Sequence, residues 1–269
     1  MAPVHRGALA LLLAGLAACV EIDPSYADGF TTTTASASTA ATASGSTNDA
    51  SDDASGTITC DCAPLELCEA GTCTQPARVL FVNLDGVTTT FGNPDASQNV
   101  EGLYEELGGT WDPYGADEPT RQLLLASIAE QWAPFRVVVT DTRPPAGPYL
   151  MAVVTATPPP ATLAGVAYVA FPDCGDMIPQ DVTFVFASPS DGFGAPAHAS
   201  YVSGSFGRAL GLRYNDADDD IMGFGNRFVD TCYPSTDGSC PTAHPGLCSD
   251  DPMQQNSYGE LAELLGTRG

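Results

Sequence analysis

The segment from Gly204 to Tyr214 has a spacing that brings three side chains together around one point. Positions 204 and 208 are four residues apart and share one face of a helix. Gly211 can end that helix, so that position 214 returns toward the same face. Histidines at these three positions and a glutamate at 205 would bind Zn²⁺ and activate a water molecule for hydrolysis. The chain instead has Gly204, Ser205, Arg208 and Tyr214, so the spacing is present without the ligands.

This segment resembles the zinc helix of the metzincin metallopeptidases, H-E-x-x-H-x-x-G-x-x-H, which a methionine turn follows. Gly211 stands at the glycine of that pattern, and Met222 stands where the methionine belongs. Two further short segments are similar to segments of exported metzincin-like peptidases of myxobacterial type. They are Asp141-Thr142-Arg143-Pro144 and Asp173-Cys174-Gly175. The resemblance covers about residues 78–232. It implies an α+β, zincin-like fold: a twisted mixed sheet of about five strands with two main helices, the second of which is the metal helix.

The substituted positions predict that zinc is not bound. Glycine offers no ligand, arginine is permanently charged, and serine cannot act as a base without a partner. Beyond the first 19 residues the chain has only two histidines, His198 and His244, so three-histidine coordination is impossible there. We expect His198 to be a surface or hydrogen-bonded residue and His244 to have a structural role. A serine hydrolase is not expected either, because the segment from Ser203 to Gly207 lacks the first glycine of a nucleophile elbow.

Two hypotheses concern the charges around this segment. The guanidinium of Arg208 is predicted to occupy the space of the absent metal and to pair with Asp216, Asp218, Asp219 or Asp220. Calcium is a possible cofactor, with Asp216, Asp218 and Asp220 as weak candidate ligands, since calcium prefers several oxygen ligands. The run lacks the glycine and the final glutamate of an EF-hand loop, and a solvated turn is the favoured interpretation.

The N-terminus has the pattern of a bacterial lipoprotein. Residues 1–19 form a predicted signal peptide with Arg6, an apolar stretch and small residues before Cys19. Acylation of Cys19 would attach the chain to a lipid bilayer, and Val20 in the next position favours the outer membrane. The alternative is an ordinary secretory signal with a structural Cys19. Residues 20–59 are predicted to be a disordered Ser/Thr/Ala/Asp-rich linker.

Composition restricts the partners and indicates disulfides. The 33 acidic residues outnumber 9 basic ones, all of them arginine, which argues against nucleic acid as a partner. Apart from Cys19, the chain has an even number of cysteines, which predicts disulfide bonds in an exported protein. A metal knuckle at the C-x-C spacing is the less favoured reading. These cysteines are Cys60, Cys62, Cys68 and Cys73, in a predicted mini-module over residues 60–76, and Cys174, Cys232, Cys240 and Cys248.

Residues 77–269 are long enough for one core domain. Apolar and β-branched runs predict strands over 78–85, 135–140, 149–156, 166–171 and 182–187. Helices are predicted over about 117–131, with Leu123, Leu124, Ile128 and Trp132 on one face, and over 197–212. The Gly/Asn/Asp/Pro-rich residues 86–115 are expected to be irregular.

The sequence therefore predicts a catalytically inactive, metallopeptidase-like surface lipoprotein that binds an unknown protein or peptide. A groove beside the predicted strand at 166–171 would suit an extended peptide held by strand pairing. Two alternatives stay open: an active zinc metallopeptidase with a divergent site, and a purely structural envelope lipoprotein.

Overall fold

A mixed five-stranded sheet organises the chain in the computed structural model, which describes residues 60–236, 247–248 and 253–268. The sheet order is β7-β3-β8-β10-β9, in which β9 runs antiparallel to β10 and the other neighbours are parallel. Its strands are β3 (Arg78–Asn83), β7 (Val137–Thr140), β8 (Leu150–Thr155), β9 (Tyr168–Val169) and β10 (Val182–Phe186). The helices are α1 (Glu118–Trp132), α2 (Ala195–Ala209) and α3 (Ser257–Leu265). The predicted α+β class is confirmed.

The N-terminal mini-module is a short hairpin held by disulfide bonds. Strands β1 (Leu67–Glu69) and β2 (Thr72–Thr74) pair antiparallel, and disulfides join Cys60 to Cys68 and Cys62 to Cys73. A further disulfide joins Cys232 to Cys248, and Cys174 is also disulfide-bonded. The expected disulfide bonding is therefore present at these seven cysteines. Cys19 and Cys240 lie outside the described residues, as do residues 1–59 and His244.

One face of the sheet packs against α1 and α2. Asp117 caps α1 by accepting a hydrogen bond from the backbone of Thr120. The side chains of Leu124, Ile128 and Trp132 are buried in the core between helices and sheet. Leu123 was predicted on the same face, but it is 51% exposed, because it lies one residue away from the stripe that the other three define.

The other face of the sheet is covered by a segment that was predicted to be irregular. Residues 86–115 contain a three-stranded sheet of order β5-β4-β6, with β4 at Val87–Phe91, β5 at Val100–Glu101 and β6 at Gly109–Trp111. Trp111 and Leu107 pack there with side chains of the main sheet, such as Phe184. Two of these strands are only two or three residues long, which is too short for a periodic pattern to reveal.

Helix α2 is the central element of the fold. Its predicted span was 197–212, whereas the helix begins at Ala195 and ends at Ala209. Of its residues, Pro196 alone is exposed, and most of the others are alanine, serine or glycine. Small side chains let α1 and the sheet approach α2 closely. The short pair of β11 (Tyr233–Pro234) and β12 (Gln254–Gln255), together with α3, completes the described chain and was not predicted.

Candidate functional site

The first substituted position, Gly204, is in contact with an aromatic ring. A Cβ atom added to Gly204 would lie 2.7 Å from the hydroxyl oxygen of Tyr168 and 2.9 Å from its Cζ. Tyr168 belongs to β9 and is itself buried. The space into which a side chain at 204 would extend is therefore filled by the tyrosine.

The second substituted position, Ser205, points into the sheet. Its hydroxyl lies 2.9 Å from the hydroxyl of Thr183 on β10 and donates to the carbonyl of Val202 at 2.8 Å. Both Ser205 and Thr183 have no exposed surface. This side chain fixes α2 against β10 and has no access to a substrate.

Arg208 and Tyr214 meet, as the spacing of the motif requires. The guanidinium carbon of Arg208 lies 4.6 Å from the centroid of the Tyr214 ring, and Nη1 donates to the carbonyl of Leu212 at 3.2 Å. Arg208 is 3% exposed and Tyr214 is 6% exposed. A cation over the face of a tyrosine ring is attracted by its quadrupole, and the attraction is stronger when the pair is removed from water.

Gly211 produces the reversal that brings Tyr214 back to α2. Its φ of +93° lies in the left-handed region, and an added Cβ would lie 2.8 Å from the carbonyl oxygen of Asp173. Only glycine combines this conformation with so close an approach of another backbone. The loop that contains Asp173, Cys174 and Gly175 is thereby packed against the end of α2.

Met222 lies beneath α2, beside a second close-packed glycine. A Cβ on Gly207 would lie 2.7 Å from the sulfur of Met222, which is fully buried. Nearby, the rings of Tyr168, Tyr214 and Phe224 form an aromatic cluster with centroid separations of 5.9 to 6.4 Å. We call these three rings and Arg208 the arginine–aromatic cluster.

The acidic run after α2 has separate roles for its members. Asp220 is buried and accepts from the backbone N–H groups of Met222 and Val229, and burial raises the pKa of its carboxyl. Asp219 pairs with Arg227, whereas Asp216 and Asp218 are exposed. Pairing of Arg208 with one of Asp216, Asp218, Asp219 and Asp220 stays a prediction.

The candidate metal positions do not converge. We searched residues 60–236, 247–248 and 253–268 for three or more His, Cys, Asp or Glu side chains with ligand atoms within 4.8 Å of one another. One such group is present, and it consists of Cys60, Cys62 and Cys73. The calcium candidates Asp216, Asp218 and Asp220 are not such a group. The residues around α2 also do not fit zinc, because the three positions hold a glycine in contact with Tyr168, a buried guanidinium and a phenol.

The buried His198 takes part in a hydrogen-bonded chain, from the buried Tyr114 to the exposed Asp191, that sequence reasoning did not identify. Its Nε2 lies 3.0 Å from the carboxylate of Asp191, and its Nδ1 lies 2.8 Å from the hydroxyl of Tyr114. Because a carboxylate only accepts, Nε2 carries the proton and Tyr114 donates to Nδ1. Burial lowers the pKa of His198 and raises the pKa of Tyr114 to about 12. This hydrogen-bonded chain holds α2 against the loop after β6, and Tyr114 is too far from Asp191 in sequence for any local pattern to reveal it.

The loop between β9 and β10 carries exposed apolar side chains. Met177 is 80% exposed and Phe171 is 45% exposed. Asp176 of the same loop forms an ion pair with Arg78, and Asp173 donates its backbone N–H to the carbonyl of Arg208 at 3.3 Å. The loop is therefore attached to the core while Met177 and Phe171 face solvent.

No protein-family model matches the chain, and no curated protein is similar to it in sequence at a significant level. None of the helices in the described ranges is long and apolar enough to cross a membrane.

Proposed function

We propose that this protein is an inactive, zincin-like pseudopeptidase that binds a protein or peptide at the surface beside β9. The observation that carries the proposal is the arginine–aromatic cluster. Tyr168 fills the space next to Gly204, and Arg208 stacks on Tyr214 at the place where three ligands would meet. The guanidinium is a fixed positive charge that would repel a metal ion at this place, which supports the proposal.

Two features of the fold support the zincin-like part of the proposal. The five-stranded mixed sheet is backed by two helices, and the second helix carries the substituted motif. Gly211 has a left-handed backbone and Met222 is buried, and in the sequence these two residues hold the positions of the glycine and the methionine of the metzincin pattern. A protein that only binds a peptide beside β9 does not need the glycine or the methionine at these two positions. Descent of the fold from a metallopeptidase would explain both.

The binding surface that we propose consists of β9, the loop with Phe171 and Met177, and the exposed Asp216 and Asp218. In the sheet order, β9 is the outermost strand on its side. Tyr168 of β9 contacts Tyr214, which places the acidic run close to this edge. An outermost strand can pair with an extended peptide, and carboxylates beside apolar side chains favour a peptide that carries both basic and apolar residues. We propose such a peptide segment as the partner.

The first experiment concerns the metal. Purified wild-type protein and the Arg208→His variant are expected to contain no stoichiometric zinc by elemental analysis and to leave casein intact. A single histidine supplies one ligand, whereas a catalytic zinc site has three. Stoichiometric zinc in the wild-type protein, or cleavage of casein that a chelator abolishes, would favour the alternative of an active metallopeptidase.

The second experiment concerns the partner. Short fluorescent peptides that alternate valine with lysine, serine or glutamate are compared by fluorescence anisotropy, and we expect the lysine peptide to bind most tightly. Met177→Ser is expected to weaken its binding about tenfold, because burial of a methionine side chain contributes about 1.5–3 kcal/mol.

Leu123→Ser is the matched control, because Leu123 is 51% exposed but lies on α1, which packs beside β7 at the other end of the sheet. Equal loss in both variants would contradict the proposed surface. Binding of none of the peptides would favour a purely structural protein. We further propose that acylated Cys19 anchors the protein to the outer membrane, and mass spectrometry of the mature N-terminus in a membrane fraction tests this.

A further inference from the structure

The four cysteines of the N-terminal mini-module bring their sulfur atoms into one small volume. The Sγ atoms of Cys60, Cys62 and Cys73 all lie within 4.8 Å of one another. The fourth sulfur, that of Cys68, is bonded to Cys60. Three sulfurs of the two disulfide bonds therefore lie close together, and the fourth, that of Cys68, is next to one of them through its bond to Cys60.

The backbone that holds these sulfurs is of a kind used in zinc sites. Cys68 and Cys73 are directly opposite each other in the β1–β2 hairpin, with four residues between them. A C-x₂₋₄-C spacing is typical of structural zinc sites. The turn between the two strands contains Ala70 and Gly71, both with positive φ, which is the geometry of a tight hairpin. The Cys60-Asp61-Cys62 segment supplies the other two sulfurs.

The distances also fit a metal ion once the disulfides are opened. Tetrahedral coordination with zinc–sulfur bonds of about 2.3 Å places the sulfurs about 3.8 Å apart. The sulfurs of one disulfide, about 2 Å apart, must then separate by about 1.8 Å. The sulfurs of Cys60, Cys62 and Cys73 that are not bonded to each other already lie within 4.8 Å and need to approach by about 1 Å at most. Cys68 and Cys73 are exposed, so a reductant reaches one sulfur of each bond. The hairpin is held in place independently of the sulfurs, because Arg136 donates to the carboxylate of Glu69 and to the carbonyl of Gln75.

We propose that this module is a redox-controlled metal site with two states. In the oxidised state it contains the two disulfides. A dithiol reductant transfers two electrons and two protons to each disulfide and is itself oxidised to a disulfide, which leaves four thiols. These thiols then bind one Zn²⁺ as thiolates and release four protons. The metal replaces the covalent cross-links and keeps the hairpin folded under reducing conditions.

The test uses the full chain, reduced under anaerobic conditions with a phosphine and then titrated with Co²⁺. One equivalent of Co²⁺ should produce a thiolate-to-metal charge-transfer band together with intense visible bands of tetrahedral cobalt, and Zn²⁺ should abolish both. The variant Cys62→Ser/Cys73→Ser should lose these bands. The matched variant Cys232→Ser/Cys248→Ser, which lacks the other described cysteine pair, should retain them.

A second measurement does not depend on variants. Reduced protein is alkylated with N-ethylmaleimide with and without Zn²⁺, and the modified cysteines are mapped by mass spectrometry. Zinc should protect Cys60, Cys62, Cys68 and Cys73, while Cys232 and Cys248 react. Absence of the charge-transfer band in reduced wild-type protein would overturn the proposal, and so would zinc protection confined to cysteines outside the module.

Discussion

Gly204 and Tyr168 are complementary at the level of single atoms, because the glycine leaves space that the tyrosine fills. The ring is fixed on its other sides by Tyr214 and Phe224, so it cannot easily move away. Ser205 is equally specific to its surroundings, since its hydroxyl pairs with Thr183 in a site without exposed surface. Gly204 and Ser205 are thus integrated into the core.

This complementarity predicts that Gly204→Ala changes the free energy of unfolding in opposite directions with and without the Tyr168 ring. Gly204→Ala should destabilise the wild-type protein by about 1–3 kcal/mol through overpacking against Tyr168. In a Tyr168→Ala background the same substitution should stabilise the protein by about 0.5–1 kcal/mol, because alanine is the better helix former. Urea unfolding of the four proteins measures both effects. An equal effect of Gly204→Ala in the two backgrounds would show that the contact has no energetic role.

At the scale of elements, the connection between α2 and the loop after it determines where Tyr214 lies. The helix ends at Ala209, and Gly211 turns the chain while the backbone of Asp173 lies against it. A side chain at 211 would separate these two segments. The position of Tyr214 over Arg208 thus depends on the absence of a Cβ atom three residues earlier.

Two glycine substitutions separate this contact from the backbone conformation. Gly211 and Gly147 have similar φ values of +93° and +86°, but a Cβ on Gly147 has no neighbour within 4 Å among the described atoms. Gly147→Ala should therefore lower the free energy of unfolding by only about 1–2 kcal/mol, which is the penalty of a left-handed backbone for a residue with a Cβ atom. Gly211→Ala should cost about 1–3 kcal/mol more, because Asp173 must be displaced. Thermal and urea unfolding compare the two, and equal losses would contradict the role of the contact.

The sequence predicted these elements unequally, for physical reasons. Four strands of the main sheet and the two long helices were predicted because their apolar runs are long enough to show a period. The fifth strand, β9, has only two residues and lies within the apolar run that predicted a strand over 166–171. Helix α3 was missed although Asn256 caps it and Gly266 follows it, because its nine residues follow a Cys/Pro/Gly-rich stretch.

Within the candidate site, the meeting of Arg208 and Tyr214 followed from their spacing. The contributions of Tyr168 and Phe224 did not, because long-range ring contacts leave no mark in a local pattern. The chain of Tyr114, His198 and Asp191 was missed for the same reason.

At the scale of the whole molecule, the acidic composition extends into the interior. Asp181 is fully buried at the start of β10, and its Oδ2 has no hydrogen-bond partner in the described part of the chain. Burial raises the pKa of Asp181 to about 7, with smaller contributions from Asp173, Glu101 and Asp176. Burial likewise raises the pKa of Glu260 to about 7.

These carboxyls predict that stability falls as the pH rises toward neutrality. In the unfolded chain an aspartate loses its proton near pH 4, whereas folded Asp181 retains it to about pH 7. Between these values the folded state binds more protons, so the free energy of unfolding decreases with rising pH until ionisation is complete. Asp181→Asn should remove this part of the dependence and stabilise the protein at pH 8 by on the order of 2 kcal/mol.

Urea unfolding at pH 5 and pH 8 tests this prediction, and Asp216→Asn is the matched control, because Asp216 is exposed. In the control variant, the difference in the free energy of unfolding between pH 5 and pH 8 should be almost the same as in the wild-type protein. A pH dependence that is the same in wild-type protein and Asp181→Asn would contradict a buried, protonated Asp181.

The tyrosine that fills the space beside Gly204 also has an evolutionary consequence. A histidine introduced at 204 would collide with Tyr168 before it could meet any metal, and a histidine at 208 alone would leave the rings of Tyr214 and Phe224 without their cation. A histidine introduced alone at either position therefore disturbs core contacts without completing a set of zinc ligands. A zinc site at this place would require several changes together, so it is not reached by mutations that are selected one at a time.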